Sequence, residues 1–132
     1  MRDVVHELGP FTLEKVFDLP DSAGVTWEKF RDGIEIHRLY DTNGGQSAAL
    51  LRYAPGARLQ RHVHVGHEHI LILRGSQIDD SGPHPTGTLL VYAPGTSHSV
   101  RSDEGCVVMI IWERPVSFIP PTDMEKTPSD TP

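Results

Sequence analysis

The segment from Gly56 to Gly75 constrains the fold more than any other. It reads G-x5-H-x-H-x3-E-x6-G, with His62, His64 and Glu68 as its polar donors. Histidines at i and i+2 share one face of a strand, about 7 Å apart along it. On a straight strand Glu68 would lie about 13 Å from His64. Ligands of one ion must bring their donor atoms to about 2 Å from it. If these residues share an ion, the chain turns between 64 and 68. Gly66 lies in that gap and is able to adopt turn geometry. The run Ile70–Leu73 is strongly β-prone, and Gly75 is expected to close it. The expected unit is therefore strand, tight turn, strand, with polar donors gathered at the turn.

The rest of the chain fits an all-β domain. Asp32-Gly33 and Asn43-Gly44-Gly45 separate β-prone runs and read as turns. Pro55-Gly56, Asp80-Ser81-Gly82-Pro83, Ala93-Pro94-Gly95 and Asp103-Glu104-Gly105 punctuate the remainder. Phe11–Leu19 alternates weakly and reads as a poor strand. Cys106–Trp112 is nearly all apolar, as expected of a strand buried on both faces. About eight to ten short strands without long helical periodicity indicate a barrel or jelly roll. The expected division is an N-terminal arm over 1–20, a barrel over 21–116 and a Pro-rich tail over 117–132. Five prolines in the eighteen residues from Pro115 onward set the tail apart.

Composition excludes some partners. The 132 residues suit one domain with one core. A formal net charge of −6, with no basic block, argues against nucleic acid and against an anionic membrane surface. No apolar run reaches the ~18 residues of a membrane span. The single cysteine, Cys106, allows no intrachain disulfide, and a cytoplasmic setting is the simplest expectation.

At this point the chain resembles the cupin superfamily. Gly56–Gly75 matches every position of the first cupin motif. The second motif, G-x5-P-x-G-x2-H-x3-N, is followed in spacing by Gly87, Gly95 and His98. Two positions depart from it. Proline falls one place late, at Pro94, and Ser102 stands where asparagine would be. The resemblance implies a single-domain double-stranded β-helix with His62, His64, Glu68 and His98 as metal ligands. Leu50–Gly56, the ligand loop, Pro94–His98 and Glu104–Cys106 resemble the cupin domain of ChrR anti-sigma factors. Stand-alone relatives of that group include acetylacetone-dioxygenase-like proteins. The anti-sigma factors carry a separate zinc domain with paired cysteines, which this chain lacks, so the likeness implies the barrel and not sigma binding.

Three imidazoles and a carboxylate suit one divalent transition ion, with Zn, Fe, Mn and Ni all open. Zinc held by all four would make a closed site. Six-coordinate Fe, Mn or Ni would leave two positions for a small-molecule ligand. The first expectation is a dioxygenase-type enzyme acting on a diketone, hydroxyketone or aromatic compound. The second is a non-catalytic metal-binding or sensing module, and the third a metal-dependent isomerase or lyase. Glu68 is the one candidate for a catalytic base. His67 is expected as an exposed loop residue and His69 on the outer face by strand parity. Cys106, Tyr40, Tyr53, Tyr92, Met109 and Trp112 are expected to pack in core or interface. Arg52 should either face outward or meet an anionic substrate. His6, His37 and His84 have no evident role. A homodimer is expected by analogy, with Val4–Phe11 as a candidate arm.

Overall fold

A computed structural model describes residues 9–120. Its ten strands are β1 (Glu28–Arg31), β2 (Ile34–Asp41), β3 (Ser47–Tyr53), β4 (Arg58–Val63), β5 (Glu68–Asp79), β6 (Gly82–Pro85), β7 (Leu89–Tyr92), β8 (Ser97–Arg101), β9 (Cys106–Trp112) and β10 (Ser117–Phe118). They form one curled antiparallel sheet in the order β1-β2-β3-β9-β5-β8-β4-β10, with β6 and β7 also paired to β5. The turns at Asp32-Gly33 and Asn43–Gly45 join β1 to β2 and β2 to β3, and both pairs are hydrogen-bonded neighbours.

Strand β5 holds the structure together, and it differs from expectation in two ways. It does not stop at Gly75 but runs on to Asp79. Residues 68–75 pair with β9, whereas residues 76–79 pair with β6 and Ile78 reaches β8. Gly75 is the crossing point. Its φ is +69°, and a Cβ there would come 2.1 Å from the Gly105 carbonyl oxygen. Only glycine fits such a conformation and such an approach. Strands β4 and β5 also do not form the expected hairpin: β4 pairs with β8 and β10, β5 with β9 and β7. The link over 64–67 carries the chain from one wall of the barrel to the other. Gly66 serves this link by close packing, not by a left-handed turn, since a Cβ would lie 2.9 Å from Glu113 Cβ.

Alternation fills the interior. Ile34, Ile36, Ala49, Leu51, Tyr53, Ile70, Ile72, Val108, Ile110 and Trp112 share one buried cluster. The opposite faces of β3, β5 and β9 bury Leu50, Leu73 and Val107 beneath Val16 and Leu19. That cover explains a further difference from expectation. Phe11–Leu19 is not a strand: Leu13–Val16 is one helical turn and Leu19–Asp21 a 3-10 turn. Thr12 caps the first, its Oγ1 accepting from Lys15 N at 3.1 Å. Pro20 suits the start of the second. Val16 and Leu19, three apart, then present one apolar face to the sheet.

Arg52 faces outward. Its guanidinium donates to Glu35 at 2.6 Å and lies 4.3 Å from the Trp27 ring centroid. His69 is exposed, and so is His67, whose Nδ1 lies 2.7 Å from Glu113 Oε1. Cys106, Tyr53 and Trp112 are buried in the interior. Among the described residues no helix is long and apolar enough to cross a membrane. His6 and most of the candidate arm, Val4–Leu8, lie outside the described residues.

Candidate metal centre

His62 lies near the end of β4, His64 just beyond it, Glu68 opens β5 and His98 sits in β8. His62 and His98 are direct cross-strand partners. His64 is drawn into the same layer by two backbone bonds: its N–H donates to Thr96 O and its carbonyl accepts from Gly95 N, both at 2.8 Å. The turn Ala93-Pro94-Gly95 therefore works as part of the site despite its late proline. Ser102, standing in place of the asparagine, is fully buried and donates from Oγ to Ser76 O at 2.6 Å.

The four side chains each offer one donor atom, and these atoms lie within 4.8 Å of one another. All four residues are at most 3% exposed. Their hydrogen bonds fix the tautomers. His62 Nδ1 is 2.9 Å from Gln60 O, a pure acceptor, so Nδ1 carries the proton and Nε2 is left with its lone pair. Thr96 Oγ1 donates to Ala93 O at 2.6 Å, so it must accept from His64 Nδ1 at 2.9 Å. His64 Nε2 is thereby also a bare lone pair. It faces Glu68 Oε1 at 3.0 Å without a hydrogen bond, and Glu68 Oε1 lies 3.9 Å from His98 Nε2.

Buried acceptors facing one another repel unless a proton or a cation lies between them. His64 Nε2, Glu68 Oε1 and both nitrogens of His98 have no hydrogen-bond partner. The donor set therefore fits a divalent ion of the imidazole-and-carboxylate type. Burial pushes the His98 imidazole down to about 4, with the neighbouring His62 acting in the same direction. Burial also lowers His62. Both rings are accordingly neutral and able to donate their lone pairs at ordinary pH.

Several site residues escaped the sequence reading. Tyr92 was expected to pack in core or interface. Its ring stacks on His64, 4.8 Å between centroids at 19°, and meets the edge of His98 at 4.5 Å. Its hydroxyl donates to Asp79 Oδ2. Asp79 also accepts from Ser81 N and Oγ and pairs with His84 Nε2 at 2.9 Å. Burial alone would raise the Asp79 pKa, but these bonds hold it well below the usual carboxylate range. Gln77, 1% exposed, turns an unpartnered Oε1 into the interior. Simple parity from Glu68 would send residues 77 and 79 outward. A register shift between Ile72 and Arg74 reverses the alternation and aims both at the core.

Phe118 closes the mouth. It pairs with His62 across β10 and β4, with ring centroids 5.5 Å apart. Arg31 lies over both the Phe118 and Phe30 rings, at 4.5 and 4.6 Å. Beneath this lid the space beside His62, Glu68, Gln77 and His98 is about 20 Å³. Above it, a depression of about 330 Å³ is lined by Arg31, Arg38, Ser47 and the same Phe30 and Phe118.

The sequence signature of the ChrR cupin-like domain matches residues 18–116. The chain belongs to this cupin family. Solved structures agree on the fold. An RmlC-like cupin protein from Ralstonia eutropha JMP134 is 18% identical, with a TM-score of 0.67 over 74% of this chain and 69% of that one. An acetylacetone dioxygenase from Acinetobacter johnsonii is 12% identical, with a TM-score of 0.70 over 92% of this chain and 83% of its own. Rhodobacter sphaeroides SigE in complex with the anti-sigma ChrR gives 23% identity and a TM-score of 0.60 over 67% of this chain. The cupin spans 48% of the matched chain in that complex. No curated protein sequence matches the chain.

Proposed function

We propose that this cupin binds one divalent transition ion through His62, His64, Glu68 and His98 and acts as a small-molecule metalloenzyme of dioxygenase type. The observation that carries the reading is the set of buried, unpartnered donor atoms converging beside Gln77 Oε1. A first-row ion there supplies Lewis-acid polarisation and, when redox-active, electrons to dioxygen. The chain's own residues do the rest. Gln60 O and Thr96 fix the His62 and His64 tautomers, and the apolar wall of Leu51, Ile70, Val100 and Ile110 limits water. Gln77 offers a buried acceptor to a bound hydroxyl. Glu68 is the one carboxylate within the cluster able to take up a proton from a ligand.

Because the inner space holds no more than about one water, a diketone or hydroxyketone chelating through two oxygens, more compact than an aromatic compound, needs the smaller displacement to bind. Entry requires Phe118 to move aside, with the outer depression as the approach. That same 20 Å³, about the volume of one water, favours a second reading: a closed metal-holding module with no turnover. A homodimer in the cytoplasm is compatible with either.

Metal analysis decides between them, combined with oxygen uptake on a panel of diketones and hydroxyketones. One iron per chain with ligand-dependent uptake supports the enzyme. One zinc per chain with no uptake supports the closed module. If His62→Ala/His98→Ala protein keeps one ion per chain, the site itself is refuted.

A further inference from the structure

We propose that Asp79, held by Tyr92, is a positioning residue for His98, presenting a carboxylate oxygen to the His98 Nδ1–H while Nε2 faces the metal position. The inference rests on the metal reading above and assigns a role to residues outside the ligand set.

His98 is the ligand whose rear nitrogen lacks the support its neighbours have. His62 Nδ1 is anchored by Gln60 O and His64 Nδ1 by Thr96 Oγ1. His98 Nδ1 has no hydrogen-bond partner, and the carboxylate oxygen facing it is Asp79 Oδ2, at 3.7 Å. That distance is too long for a hydrogen bond. It is short for a full negative charge facing an N–H dipole at side chains only 3% and 4% exposed. A histidine that ligates through Nε2 carries its proton on Nδ1, and a carboxylate behind it fixes ring orientation and raises its basicity.

The two oxygens of Asp79 have separate surroundings. Oδ1 serves the turn between β5 and β6, accepting from Ser81 N and Oγ and pairing with His84 Nε2. Oδ2 takes no part in that turn. It meets the Tyr92 hydroxyl and His98. A carboxylate needed only for the turn could have turned Oδ2 to solvent. Tyr92 links the remaining parts, since its ring also stacks on His64 and abuts His98. One tyrosine thus fixes the orienting carboxylate and touches two of the three imidazoles.

The test uses Zn²⁺ as the probe, with affinity measured by competition against a chromophoric chelator. Asp79→Asn should weaken Zn²⁺ binding about 10–100-fold, the range seen when outer-sphere partners of metal ligands are removed. Ser81→Ala removes one bond to Asp79 Oδ1 and leaves the Oδ2 contacts with Tyr92 and His98 in place, so Zn²⁺ affinity should stay within about threefold. In zinc-loaded wild-type protein labelled with ¹⁵N-histidine, the His98 Nδ1–H should exchange slowly with solvent, and in Asp79→Asn it should exchange fast. An Asp79→Asn protein with the wild-type metal-free melting temperature and Zn²⁺ affinity within about threefold overturns the proposal. If that variant does not fold, the wild-type spectrum decides: a His98 Nδ1–H in rapid exchange overturns it. Wild-type protein that binds no Zn²⁺, Fe²⁺, Mn²⁺ or Ni²⁺ overturns the metal reading as well. Tight wild-type binding with an indifferent Asp79→Asn overturns the positioning role alone.

Discussion

Glu68→Gln separates the metal's contribution from that of the fold. Glu68 Oε1 faces the His64 Nε2 lone pair at 3.0 Å, and neither has a hydrogen bond. A glutamine amide placed there donates an N–H to that lone pair. One made hydrogen bond is worth about 1 kcal/mol net, and relief of an unsatisfied buried acceptor adds a comparable amount. Metal-free Glu68→Gln should therefore be more stable than metal-free wild type by about 1–2 kcal/mol. Metal reverses the order. At free ion a hundredfold above Kd, binding stabilises the wild type by about 2.7 kcal/mol, on the order of 10 °C for a domain of this size. The variant loses its anionic ligand and should gain little. Thermal unfolding with chelator, and then with each of Zn²⁺, Fe²⁺, Mn²⁺ and Ni²⁺, measures both effects. The reasoning fails if every ion raises wild type and variant equally, or if the metal-free variant is the less stable by 2 kcal/mol or more.

Three further outcomes are expected. Gly75→Ala should lose at least about 3 kcal/mol in denaturant unfolding, because a left-handed backbone and a contact with Gly105 O are both violated. Metal-free protein should lose stability as pH falls from about 6.5 toward 4. Buried His98 stays neutral in the folded state while its unfolded counterpart takes up a proton, so the unfolded state binds more protons in that window. The loss from His98 is on the order of 3 kcal/mol, since the imidazole titrates at about 4 in the fold against 6.5 in the unfolded chain. A flat stability profile between those pH values refutes it. Phe118→Ala should open the mouth, so that a chelator strips bound metal several-fold faster with the equilibrium melting temperature shifted far less; an unchanged stripping rate shows that Phe118 does not cover the site.

Some of this was legible along the chain, and some was settled only by folding. The spacing from Gly56 to Gly75 singled out His62, His64 and Glu68 as donors that could share an ion if the chain turned between them, and the cupin resemblance of the Gly87–His98 segment added His98. Strand alternation and turn residues, also local signals, identified an all-β barrel. Local pattern does not state which strands become neighbours. The 64–67 link looked like a hairpin, yet β4 and β5 join different partners. The Phe11–Leu19 segment looked like a strand, yet Val16 and Leu19 fold as turns over Leu50, Leu73 and Val107. Nor does it state where a register shift falls. The one between Ile72 and Arg74 turns Gln77 and Asp79 inward, and it brings Asp79 behind His98, nineteen positions further on. Ligand identity depends on chemistry carried by each side chain, which a sequence prints directly. The orienting shell depends on contacts between segments distant in the chain, and those exist only once the barrel has closed.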